Sequence, residues 1–126
     1  MSDGYKRLEV WKIAIRLSED VKREIGKFPK IEARRLIDQL LGSSISVFSN
    51  IVEGYKGGTK KEFLRYLKIA YGSLNELASQ LLYSNKVGYS NDEDYKKLRN
   101  IVFKLDRKMA GFIKFLERDD KEFYFK

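Results

Sequence analysis

Residues Gln39–Gly58 read QLLGSSISVFSNIVEGYKGG, and this stretch decides the fold. From Gln39 to Val52 it holds no Lys, Arg, Asp or Glu, in a chain where charged residues make up 35%. Gln39, Ser43, Ser46, Asn50 and Glu53 recur at alternating spacings of four and three, which draws one straight polar stripe along a helix. Leu40, Leu41, Ile45, Val47, Phe48, Ile51 and Val52 fill the other sides. A helix without a charged face is expected to be covered on most sides. The stretch therefore reads as the central helix of an all-α protein.

Three further helices surround it. Upstream, Val10, Ala14, Leu17 and Val21 repeat at helical spacing, with Trp11, Ile15 and Ile25 beside them. Gly26 and Pro29 end that helix, and Phe28, extended before proline, is expected to fold its ring onto the bundle. The central helix is expected over about Lys30–Glu53, with Glu32 in its first turn and Gly54 as its stop. Downstream, Thr59-Lys60-Lys61-Glu62 is a capping box, and Phe63, Leu67, Ala70, Leu74, Leu77 and Leu81 form the core row that follows. Gly88 supplies the next stop. Ser90-Asn91-Asp92-Glu93 is a second capping box and opens a fourth helix, whose buried face is Leu98, Val102, Leu105, Met109, Phe112 and Leu116. No run alternates with the period of a strand. Short connections between long helices predict an up-down-up-down four-helix bundle in a single domain, residues 1–126. Flexible ends are expected at about 1–6 and 119–126, and the tail aromatics Phe123, Tyr124 and Phe125 either fray or dock on a neighbouring surface.

Composition narrows the chemistry. The chain has no Cys, which excludes disulfides and thiolate metal sites, and no His, the commonest general base and metal ligand. Nothing arranges a nucleophile beside a base, so the chain reads as a non-enzyme without metal or cofactor. No stretch is apolar enough to cross a bilayer and the N-terminus lacks a signal-peptide core, so a cytoplasmic protein is expected. The net charge of +8, with a pI near 9.6, draws the chain towards polyanions.

Two groups of residues are candidates for function. The polar stripe, continued on the third helix by Ser73 and Glu76, serves either to pack and assemble helices or to line a pocket or pore. Small residues at Gly42, Ser43, Ser46 and Ser49 favour packing. Glu53 and Glu76 lack the His partners that a di-iron bundle uses. The second group is Lys56, Lys60, Lys61, Arg65 and Lys68, on one loop and the first turns of one helix. The order Gly58-Thr59-Lys60, with no preceding strand, is not a P-loop. As a contact for a nucleic-acid backbone the group is more plausible, because a phosphate there also meets a helix N-terminus. A second basic stripe runs through Lys97, Lys104 and Lys108, with Arg107, Lys114 and Arg118 near it. Tyr55, Tyr66 and Tyr71 are candidates for stacking on bases, against the more ordinary reading as core.

The combination Ser46-x-x-x-Asn50-Ile51-x-Glu53-Gly54, Glu62-Phe63 and Ala70-x-Gly72-Ser73-Leu74-x-Glu76-Leu77 resembles the four-helix-bundle proteins encoded in 23S rRNA intervening sequences. Leu8-x-Val10-Trp11, Phe28-Pro29-x-x-Glu32 and Leu36-x-x-Gln39 fit the same pattern, so the resemblance covers nearly the whole chain. That family commonly has Pro where this chain has Phe48, which leads us to expect a straighter second helix. The resemblance implies a left-handed up-down bundle that assembles as a ring, typically a homopentamer. A related protein, the accessory subunit of diversity-generating retroelements, implies a basic barrel that binds nucleic acid and a reverse transcriptase. Two functions follow as expectations: a ring that binds structured RNA through its phosphates, or a ring that holds a protein partner such as a reverse transcriptase.

Overall fold

The computed structural model describes residues 3–118. After a 3-10 turn at Gly4–Arg7 come α1 (Glu9–Ile25), α2 (Arg34–Lys56), α3 (Lys60–Lys86) and α4 (Asp92–Arg118). Among the described residues there is no strand. Each helix packs on its two neighbours around a square, with α2–α3 the most extensive seam. Contacts fix the directions. Glu9 near the start of α1 pairs with Lys108 in the second half of α4, while Glu24 near the end of α1 meets Ser90 just before α4. Lys68 and Glu117 join the first half of α3 to the end of α4, and Asn85 meets Asp92 at the other end. These contacts run α4 antiparallel to both α1 and α3 within an all-α four-helix bundle.

The core follows the predicted periodicity. Phe63, Leu67, Ala70, Leu74, Leu77 and Leu81 are buried, and so are Leu98, Val102, Leu105, Met109 and Leu116. Each fully buried leucine contributes about 1.5–3 kcal/mol through removal of its apolar surface from water. In α4, Ile113 takes a buried place and Phe112 is only half-buried. Phe28 folds back as expected, buried and tilted against Tyr89 at 5.6 Å.

Five local expectations are corrected. The segment Gly4–Arg7 of the expected flexible lead is a 3-10 turn, held because Tyr5 packs edge-on against Trp11 at 5.4 Å and lies 6.5 Å from Tyr55. The second helix begins at Arg34 rather than Lys30. Residues 30–33 form a turn, closed by the Ala33 amide donating to the Pro29 carbonyl at 2.8 Å, which buries Ala33 and leaves Ile31 in water. Glu32 consequently lies before the helix, where it accepts from the Tyr89 phenol; burial and that bond hold the phenol above its ordinary pKa. The same helix runs through Gly54 to Lys56. Gly54 is a point of close approach: a Cβ there would sit 2.8 Å from the Tyr66 Cβ and 3.0 Å from the Phe63 ring. Finally, the cap of α4 is Asn91, whose Oδ1 accepts from the Asp94 amide at 2.8 Å, while Ser90 is buried and donates its hydroxyl to Glu24. Phe48 is accommodated in an unbroken α2. The tail aromatics Phe123, Tyr124 and Phe125 lie outside the described residues.

Candidate nucleic-acid interface

The turn between α2 and α3 is shaped by Gly58, whose φ of 84° lies in the left-handed region that side chains other than glycine rarely enter. Thr59 then caps α3, its Oγ1 accepting from the Glu62 amide at 3.1 Å. These two residues set the five predicted cations on one corner of the bundle. Lys56, at the end of α2, lies 5.8 Å from the centre of the Tyr5 ring. Lys60 is half-buried and Lys61 is exposed. Arg65 donates to Glu62 at 3.2 Å and stacks over Tyr66 at 4.4 Å. Lys68 pairs with Glu117 at 3.1 Å. Lys56 thus faces the 3-10 turn and Lys68 faces α4, and Arg65 and Lys68 already have carboxylate partners. Both pairs are exposed and i,i+3 or cross-helix, so a phosphate competes with them at small cost.

Five rings fasten this end of the molecule. Trp11 meets Tyr5, Tyr5 meets Tyr55, Tyr55 meets Phe63 at 6.2 Å, and Phe63 meets Phe112 at 5.4 Å, all near edge-to-face. The chain of rings crosses from α1 through the 3-10 turn to α2, α3 and α4. Tyr55 thus belongs to this framework, Tyr66 lies under Arg65, and Tyr71 donates its hydroxyl to Asp106 of α4, a bond that raises its pKa.

The polar stripe divides into parts. Ser46 and Ser73 share a 2.7 Å hydrogen bond across the α2–α3 seam, and Asn50 donates to the Ser46 carbonyl at 2.8 Å and to its hydroxyl at 3.0 Å. Ser43 is buried, whereas Gln39, Glu53 and Glu76 are exposed. Glu53 and Glu76 do not form part of any metal-holding group among the described residues.

The lysines of the basic stripe on α4 have acidic neighbours at two places along the helix. Lys97 pairs with Glu93 at 3.7 Å near the far end, away from Lys104 and Lys108. Lys104 and Lys108 join Lys12 of α1 around Glu9, whose carboxyl is held below its usual range first by the Lys108 hydrogen bond. The helical period of α4 reveals its own cations, but pairing them with α1 needs the tertiary fold.

The sequence model of the 23S rRNA-intervening sequence protein family matches residues 6–111. The chain belongs to that family. A solved relative in fold is a protein of unknown function from the S23 ribosomal protein family of Bacteroides thetaiotaomicron VPI-5482. It superposes with a TM-score of 0.75 at 19% identity, over 83% of this chain and 98% of that one. Among curated proteins none matches. The intervening-sequence protein family is named for where its genes lie, and the name assigns no reaction.

Proposed function

We propose that this intervening-sequence protein is a non-enzymatic, ring-forming bundle that binds nucleic acid, structured RNA foremost, through phosphate contacts at one end. The observation that carries the reading is the distribution of charge along the bundle axis. The half built from residues 3–16, 46–72 and 105–118 holds thirteen Lys and Arg against six Asp and Glu. The half built from residues 17–45 and 73–104 holds eleven against nine. Such one-sided charge is the footprint of a polyanion partner. Lys56, Lys60, Lys61, Arg65 and Lys68 form its most compact group and flank the positive end of α3. Self-assembly is supported by apolar side chains left in water on the outer faces, among them Ile45, Ile69, Leu82, Phe103 and Phe115. A ring repeats the basic end in every subunit, and linked weak contacts gain avidity on one long strand.

The test is the salt dependence of RNA binding, with light scattering on the same sample. Each phosphate neutralised contributes about 0.7–0.9 to the slope of log affinity against log salt. Replacing Lys60, Lys61 and Arg65 by Glu weakens binding and flattens that slope by about two or more. Equal affinity and an equal slope would reduce the corner to a solvated face. Failure of the parent protein to bind RNA at low salt would favour a protein partner, and a monomeric mass would remove the ring.

A further inference from the structure

A groove of about 460 Å³ lies between the start of α1 and the last turns of α4, on a different corner from the α2–α3 loop. Its floor is apolar: Leu8, the buried Val10 and Phe112, whose ring is held edge-on by Phe63. Gly111 leaves the floor open, since a Cβ built there meets nothing within 4 Å. The rim is cationic. Arg7 and Arg107 line it without an ion-pair partner among the described residues. Lys108 on the same rim pairs with Glu9 at 2.9 Å, and Lys12 and Lys104 face the same carboxylate. Three cations thus face this one acid, and Arg7 and Arg107 stand on the rim beside it.

We propose that this α1–α4 groove takes a single unpaired nucleotide, with its base on the floor beside Phe112 and its phosphate between Arg7 and Arg107. The inference rests on the nucleic-acid reading for its ligand class, but it uses none of the residues of the α2–α3 corner. An apolar floor alone suits many greasy ligands, and a cationic rim alone suits any phosphate. Both within one short groove ask for a flat apolar face joined to an anion, which is the chemistry of a nucleotide. An acidic peptide would satisfy the rim and leave the floor uncovered. A long acyl chain would outrun a groove of this volume. A duplex keeps its bases stacked inside, so only a single strand or a loop can fill the floor. The groove therefore adds a preference for unpaired RNA, which backbone contacts alone do not supply.

Gly111→Gln is the decisive variant. Gln is uncharged, favours a helix over Gly, and starts from a Cβ that meets nothing within 4 Å on the groove floor. Affinity for a short oligouridylate is expected to fall on the order of tenfold, the scale of one lost base–aromatic stack. The salt slope stays unchanged because no cation is removed, and affinity for an RNA duplex of the same length stays at the parent value. Arg107→Gln, a second and independent variant, weakens oligouridylate binding and lowers its salt slope by about 0.7. Parent-like oligouridylate affinity in a folded Gly111→Gln protein overturns the groove and leaves the α2–α3 corner standing. Equal loss on oligouridylate and duplex overturns it too, because the floor then does not discriminate. If the Lys60, Lys61 and Arg65 replacements leave duplex binding intact while Gly111→Gln removes oligouridylate binding, the corner fails and the groove stands.

Discussion

The two ends of the bundle are held together by different chemistry. At the end where α1 meets the start of α4, polar groups make the ties. Glu24 is buried, accepts the Ser90 hydroxyl and pairs with Lys27 at 3.2 Å, and Lys27 reaches on to Asp94 at 2.9 Å. Asn85 donates to the Ser90 carbonyl at 3.1 Å and to Asp92 at 2.8 Å. At the other end the ties are the five rings from Trp11 to Phe112. Where charges hold the fold they must be matched, and cations and acids there nearly balance. Where rings share that duty with only a few exposed cross-helix pairs such as Lys68–Glu117, the charges need not balance, and cations there outnumber acids thirteen to six. A basic surface can thus change with little effect on stability, since exposed charges contribute little to it.

The largest effect that would break this contrast is at Gly54. Gly54→Val would press a side chain into the Tyr66 Cβ at 2.8 Å, the Phe63 ring at 3.0 Å and the Phe63 carbonyl at 3.2 Å. Parting α2 from α3 dismantles the ring-held end, at a cost of about 3 kcal/mol or more. Urea unfolding measures it, and a parent-like midpoint would mean that this end does not depend on close helix approach. A middle-sized effect sharpens the other end. Ser90→Ala takes the hydroxyl donor from one oxygen of the buried Glu24 carboxylate, leaving only the Lys27 pair, and is expected to cost about 1–3 kcal/mol. Asn91→Ala removes an exposed cap, worth about 1 kcal/mol. If Asn91 proved the costlier of the two, the buried Glu24–Ser90 contact would not be what fastens that end.

The smallest effect concerns acid. The Lys27 hydrogen bond holds the Asp94 carboxyl below its ordinary range, and Lys108 does the same for Glu9. A carboxyl depressed in the folded state adds stability above its unfolded pKa of about 4, and that addition is lost as pH falls through the folded value. Both pairs are exposed, so a slight drop in the urea midpoint is expected below about pH 4. Asp94→Asn should reduce that drop. An unchanged acid response in this variant would show that the Lys27–Asp94 pair is not felt by the fold.

Much of the fold was legible because it is written locally. The row from Phe63 to Leu81 repeats at helical spacing, and Thr59 with Glu62 marks a helix start within four residues. What escaped was decided by partners distant in the chain. Gly54 looks like a stop until Phe63 and Tyr66 are seen against it. Ser90, three residues before Glu93, reads as the cap of α4 until Glu24, 66 residues away, claims the serine and Asn91 takes the role. The start of α2 was misplaced because burial of Ala33, not propensity, sets the turn after Pro29. The candidate site divides the same way. Lys56 to Lys68 lie within one short stretch and could be grouped by eye. The α1–α4 groove joins Arg7 to Arg107, and no sequence window holds both.

Four antiparallel helices have a practical consequence for anyone attaching something to this protein. An even number of passes puts Asp3 and Arg118 on the same side of the bundle, beside the Lys- and Arg-rich surfaces. An affinity tag or fluorescent fusion joined directly at Asp3 or Arg118 would crowd the very surfaces whose binding it was meant to report. The turn at Gly88, with φ of 88° and open space around it, lies at the opposite pole. Gly88 itself is held to glycine by that φ, but a label on the exposed Val87 beside it would leave both candidate surfaces uncovered, and immobilisation through it would present them outward.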